Sequence, residues 1–146
     1  MRQFILAILC VTAFTFSGCN EAKQVINTTG NIQLSGDYTV TSVYTKKINE
    51  KLPTLSFNAL DKTVNGQTGC NSFFGTYTLN LYNLSFGEFG VSEKYCEEPL
   101  MDTERNFLEA LSQTGSYTYR NGVLTLFSAV DKSVLLQATK DGVETN

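Results

Sequence analysis

The stretch Tyr117-Thr118-Tyr119-Arg120-Asn121-Gly122-Val123-Leu124-Thr125-Leu126-Phe127 decides the fold class. Two runs rich in aromatic and β-branched residues flank Asn121-Gly122. Both turn residues tolerate the positive φ that a type I′ turn demands, so the stretch reads as a tight β-hairpin. Downstream, Asp131-Lys132 separates this hairpin from a further run, Val134 to Ala138. Upstream, the same period of two recurs. Tyr38, Val40 and Tyr44 alternate with Thr39 and Thr41, and Leu55, Phe57 and Ala59 alternate with Thr54, Ser56 and Asn58. Phe73, Tyr77 and Leu79 line one side of the next run, followed by Leu84 and Phe86, then Phe89 and Val91. Short runs of this kind, punctuated by turn residues, predict an antiparallel sheet that closes into a barrel or packs as a sandwich.

One segment breaks the period. Leu100, Phe107 and Leu111 recur at helical spacing, with Met101 and Leu108 beside them. Pro99 suits a first helical turn, where its missing N–H costs nothing, and Asp102 and Glu104 favour the positive end of the helix dipole. The pattern predicts a helix over about 99–112, ended by Gly115, with its apolar stripe packed on the sheet. Phe57, Leu84, Phe107 and Leu124 are expected in the core.

Composition bounds the function. The 146 residues carry 11 Lys and Arg against 14 Asp and Glu, a formal charge of −3. A mildly acidic chain lacks the basic face that nucleic acid requires. There is no His. That removes Ser-His-Asp and Cys-His catalysis and every His-bearing zinc site.

Residues 1–18 read as a lipoprotein signal peptide. Met1-Arg2-Gln3 is a short positive region, and Phe4 to Phe16 is an uncharged apolar run too short to span a bilayer as a helix. It leads to Phe16-Ser17-Gly18-Cys19, similar to a bacterial lipobox, with Phe where Leu is commonest. Cleavage before Cys19 would make it the N-terminal, acylated residue, a palmitate-type anchor that holds the protein on a membrane without spanning it. Residues 19–36 are then the lipidated N-terminus and a polar tether. A flexible chain of that length has an end-to-end distance of roughly 20–25 Å. The expected location is the cell envelope, on the periplasmic face of the outer membrane if the cell has two membranes.

A second stretch carries a family resemblance. Val64-Asn65-Gly66-Gln67-Thr68-Gly69-Cys70-Asn71-Ser72-Phe73-Phe74-Gly75-Thr76-Tyr77 resembles the signature of the META domain, the HslJ-like bacterial lipoprotein family. Gly66, Gly69, Cys70, Asn71, Gly75 and Tyr77 fall on that family's motif positions. Leu55-x-Phe57, Leu84-x-Phe86, Cys96, Glu104-x-x-Phe107-Leu108-x-x-Leu111 and Gly122-x-Leu124-x-Leu126 match the elements around it. The resemblance covers residues 37–140, leaving 141–146 as a tail. It departs at Tyr38, where Trp is more usual, and at Ser92-Glu93-Lys94-Tyr95. It implies a small antiparallel, lipocalin-like β-barrel with one covering helix, no catalytic residue and no cofactor, and association with stress and envelope phenotypes. It also relocates a turn. Asn65-Gly66 alone reads as a hairpin, whereas the family pattern turns at Asp61-Lys62 and places Gly66 in the next strand, at a bulge or a close backbone approach.

Cys70 and Cys96 both match family positions. In an oxidising envelope a pair is usually a disulfide, and two separate buried thiols are the alternative. No base adjoins Cys70 in sequence to make it a nucleophile, and two cysteines alone make no metal site. Asn71 reads as a turn residue that fixes the Cys70 loop. Glu93, Glu97, Glu98, Asp102 and Glu104 form an acidic cluster; a solvated face with a helix-dipole effect is the ordinary reading, and a paired-carboxylate glycosidase the sharp one. The sequence thus predicts a non-catalytic, lipid-anchored envelope protein, acting as a stress or envelope-maintenance factor. Its partners would be membrane lipid through Cys19 and an envelope protein or small ligand. A ligand-binding or hydrolase-inhibitor module on the same anchor is the alternative.

Overall fold

Alternating side chains give each strand one apolar and one polar face, and closing the sheet buries the apolar one. The computed structural model describes residues 34–142, and in it the closure is nearly complete. The strands are β1 (Gly36–Val43), β2 (Lys46–Lys47), β3 (Thr54–Asn58), β4 (Thr63–Gln67), β5 (Ser72–Asn80), β6 (Asn83–Phe86), β7 (Gly90–Val91), β8 (Thr114–Arg120), β9 (Val123–Ser128) and β10 (Val134–Lys140), with the helix α1 (Glu98–Ser112) between β7 and β8. Eight strands follow one antiparallel path, β6-β5-β4-β3-β1-β10-β9-β8, while β2 pairs with β1 and β7 with β5. At the seam, β6 and β8 lie side by side without a ladder, and the Tyr117 N–H donates to the Tyr82 carbonyl at 3.1 Å. The signal peptide, Cys19 and residues 20–33 lie outside the described residues, as do residues 143–146.

The expected mainly-β barrel with one helix stands. Asn121 and Gly122 take φ of 51° and 78° between the paired Arg120 and Val123, as a type I′ turn requires. Phe57 pairs with Val64 across the 59–62 turn, where the Asn58 Oδ1 accepts from the Leu60 and Asp61 N–H groups. Phe57, Leu84, Phe107 and Leu124 are all buried.

Three expectations need correction. Gly115 does not end the helix. Gln113 caps it with ordinary helical backbone, and Gly115 lies inside β8 beside a register shift. A Cβ there would come within 2.5 Å of the Ala129 Cα, so Gly115 serves close strand packing. Tyr44 does not join the core. A register shift between Val40 and Ser42 turns Val43 inward, and Tyr44 sits in a turn with φ of 46°. The domain begins before residue 37. Leu34 is fully buried, the Ser35 carbonyl accepts from the Lys140 Nζ, and Gly36 pairs with Phe57, so at least the last three residues assigned to the tether belong to the barrel.

A continuous chain of ring contacts runs through the core. From Tyr119 the chain of contacts runs through Tyr38, Phe57, Phe86, Phe89 and Phe73 to Phe107 of α1, with Tyr77 on Phe57; centroid separations run from 5.3 to 6.2 Å. Most pairs are edge-to-face, which adds about 0.5–1.5 kcal/mol each to the area they bury. Phe107 is the helix's contribution to this chain. Phe107→Ala is expected to cost about 3–5 kcal/mol in urea denaturation; a loss under about 0.5 kcal/mol would show that the helix does not plug the barrel.

Candidate functional site

The family-motif residues converge on the loop between β4 and β5. Gly69 adopts φ of 99°, a conformation closed to most side chains, and a Cβ there would lie 2.9 Å from the Lys51 carbonyl oxygen. That turn points Asn71 inward, where it is 2% exposed. Every hydrogen-bonding group of its amide is engaged. Nδ2 donates to the Lys94 carbonyl at 3.1 Å and to the Glu104 Oε1 at 3.2 Å. Oδ1 accepts from the Lys94 N–H at 2.7 Å and the Ser92 hydroxyl at 2.9 Å. The side chain thus pairs with the Lys94 backbone as a strand peptide would, and holds the segment between β7 and α1.

Thr68 and Glu104 complete this junction. The Thr68 Oγ1 accepts from the Cys70 and Asn71 N–H groups at 3.3 and 2.8 Å, and its hydroxyl donates to the Glu104 Oε2. Glu104, at 9% exposed, is the buried acid of the described chain. This corrects its assignment to a solvated acidic face. Thr68 and Glu104 are the residues that sequence reasoning missed. The signal for Glu104 was its place three residues before Phe107, on the inward stripe of α1.

The disulfide joins Cys70 to Cys96 with the Cα atoms 6.1 Å apart, inside the usual bonding range. It ties the same loop to the residue preceding the helix cap, beside the Asn71 contacts. Gly66 follows the family pattern rather than a hairpin: it sits in β4, where a Cβ would fall 2.0 Å from the Thr54 carbonyl oxygen. Gly75 leaves room for the Phe89 ring, which a Cβ would meet at 2.7 Å. Tyr77 is buried, stacks edge-on against Phe57 and donates its hydroxyl to the Asn58 carbonyl at 3.3 Å. All six motif positions therefore serve the junction or the ring packing.

The remaining acids lie on the surface around the start of α1. Asp102 pairs with Arg105 on the surface, Glu97 holds the N-cap position of α1 without a side-chain cap bond, Glu98 lies in its first turn, and Glu93 is exposed. Among the described residues no group of three or more Cys, Asp or Glu is placed to hold a metal. Burial pushes the hydroxyls of Tyr38, Tyr77 and Tyr117 above the usual phenol range, so they stay neutral in the core. An open groove of about 640 Å³ runs between the 46–51 loop and the first half of α1. Lys46, Lys47, Glu50 and Lys51 of the loop line it together with Glu97, Glu98, Leu100 and Asp102 of the helix start.

Two outcomes follow from this geometry. Glu104→Ala strands the Thr68 and Asn71 donors and is expected to cost about 2–3 kcal/mol of stability. Asp102→Ala, breaking an exposed pair, should stay within about 0.5 kcal/mol. Equal effects in denaturant titration would refute the buried junction. The disulfide, closing a loop of 26 residues, should contribute about 3–4 kcal/mol. Non-reducing peptide mapping should recover the Cys70 and Cys96 peptides linked, and free thiols at both would sink the bond.

Comparison with known proteins agrees with this architecture. The META domain pattern matches residues 30–141. An NMR structure of a protein from Burkholderia xenovorans is similar at 21% identity and a TM-score of 0.62, covering 80% of this chain and 89% of that one. Another NMR structure matches at 24% identity and a TM-score of 0.60, over 75% of this chain and 93% of that one. A crystal structure of a DUF4847 family protein from Bacteroides vulgatus matches at 15% identity and a TM-score of 0.57, over 76% and 96%. At these identities the likeness is one of fold. No curated protein matches the sequence. With a domain pattern that spans the whole barrel and a motif that builds its central junction, the chain belongs to the META domain family.

Proposed function

We propose that this META domain protein is a lipid-anchored cell-envelope protein that acts without catalysis, as a stress or envelope-maintenance factor. The observation that carries the reading is the fate of the motif. Asn71 is consumed in hydrogen bonds to Lys94 and Glu104 and Cys70 in a disulfide, and the remaining members pack the barrel. A motif spent this way preserves a rigid module; it presents no poised nucleophile, acid or base. The anchor rests on the leader and Ser17-Gly18-Cys19. The disulfide fits an oxidising compartment. Among the described residues no helix is long and apolar enough to cross a membrane.

The alternative, a ligand-binding or hydrolase-inhibitor module, shifts its site. The aromatic chain from Tyr119 to Phe107 packs through the core, which argues against a lipocalin-style ligand inside the barrel. The groove between the 46–51 loop and α1 is the place where a ligand or partner segment would lie.

Cys19→Ala tests the anchor. The variant is expected to leave the membrane fraction, or to accumulate as uncleaved precursor. Unchanged detergent partitioning together with an unchanged precursor mass would refute it.

A further inference from the structure

The antiparallel register sorts the loops between the two ends of the barrel. One end carries the 68–71 loop, α1 and the 129–133 turn. The other carries the 59–62, 81–82 and 121–122 turns, together with the start of β1 and the end of β10. Bonds from the Lys140 N–H to the Gly122 carbonyl at 2.7 Å and from the Asp141 N–H to the Asp37 carbonyl at 2.9 Å tie this second end together.

Hairpin tips are ordinarily polar. Three tips here are not: the 59–62 and 81–82 turns at this second end, and the 129–133 turn at the other, where Val130 is 94% exposed. Leu60 is 93% exposed and Tyr82 74% exposed, while Leu81, half-buried at 38%, holds a φ of 58° that Gly or Asn adopts more readily. The 59–62 and 81–82 turns lie at the same end on neighbouring strands, with β5 running four residues past its last β4 partner, Thr76. The chain also enters the barrel at this end, at Leu34, and fourteen residues, 20–33, separate Leu34 from Cys19.

We propose that this end of the barrel docks on the surface of the lipid bilayer, with Leu60, Leu81 and Tyr82 seated at the headgroup level; the proposal rests on acylation of Cys19. Fourteen residues of random coil would have an r.m.s. end-to-end distance of about 20 Å, shorter than the about 30 Å length of β5. The anchor therefore holds the Leu34 end nearer the lipid and turns α1 and the disulfide outward. Tyr is suited to that depth, with an apolar ring and a hydroxyl that stays wet. Tethering makes the contact intramolecular, so weak apolar insertion is enough to orient the domain. Lys62 and Arg120 stand on this rim with Asp61 and Asp141, so the surface is not polybasic and docking should persist in high salt.

The chain contains no Trp, so one introduced indole reports alone. The lipidated full chain carrying Tyr82→Trp is reconstituted on phosphatidylcholine vesicles containing brominated lipid. A second reporter, Leu60→Trp, guards against one variant misfolding. Val130→Trp, 94% exposed at the opposite end, is the control. The expected result is a blue-shifted emission at positions 82 and 60, quenched several-fold more than at 130 and unchanged by high salt. Protein that floats with the vesicles but is quenched equally, or not at all, at both ends overturns the docking and leaves the anchor intact. Protein that does not float overturns both. A shift that appears without vesicles and grows with protein concentration assigns the face to a second copy of the chain, and also overturns the proposal.

Discussion

A buried primary amide must find four partners or destabilise the fold, and Asn71 finds all four. The rest of the upper barrel depends on that constraint. The segment after β7 has few ladder bonds of its own, and Asn71 supplies Lys94 with both a donor and an acceptor. Glu104 can be buried because Thr68 and Asn71 donate to it, and its position brings Phe107 over Phe73. Removing the amide would unsettle the loop, the segment and the helix together, since each is held through the others.

Much of the fold was legible because it rests on local rules. Asn121-Gly122 marks its turn by backbone chemistry alone, and Leu55 and Phe57 show their buried face by alternation. The helix was legible from Phe107 and Leu111, and its observed bounds, Glu98–Ser112, lie within a residue of the expected ones. Where reading failed, a nonlocal contact had overridden a local rule. The shift in β1 exchanges Val43 for Tyr44 in the core, and alternation has no means of anticipating an inserted residue. Leu34 is flanked by Gln33 and Ser35 and shares an alternation with Ile32 alone, a run too short to mark it as core.

The junction was half legible for a related reason. Cys70, Cys96 and Asn71 could be picked out by residue type and family position. Glu104 was disguised by its charge, because an acid beside other acids near a helix start reads as surface. Its partner Thr68 gives no local sign of a long-range bond, 36 residues away in sequence. A charged residue in phase with an apolar stripe is the feature that distinguishes the two cases.

The seam between β6 and β8 carries a mechanical consequence. The other neighbours on the eight-strand path share ladders, whereas these two are bridged in sequence by the long excursion through β7 and α1. The barrel is in effect a split ring, and the stapled helix is the clip across its gap. Strain applied to such a ring opens it at the gap first. The strand edges freed there would be β6 and β8, each an unpaired template for another chain. The helix α1, which packs on β6 and runs directly into β8, therefore also guards the protein against edge-to-edge association.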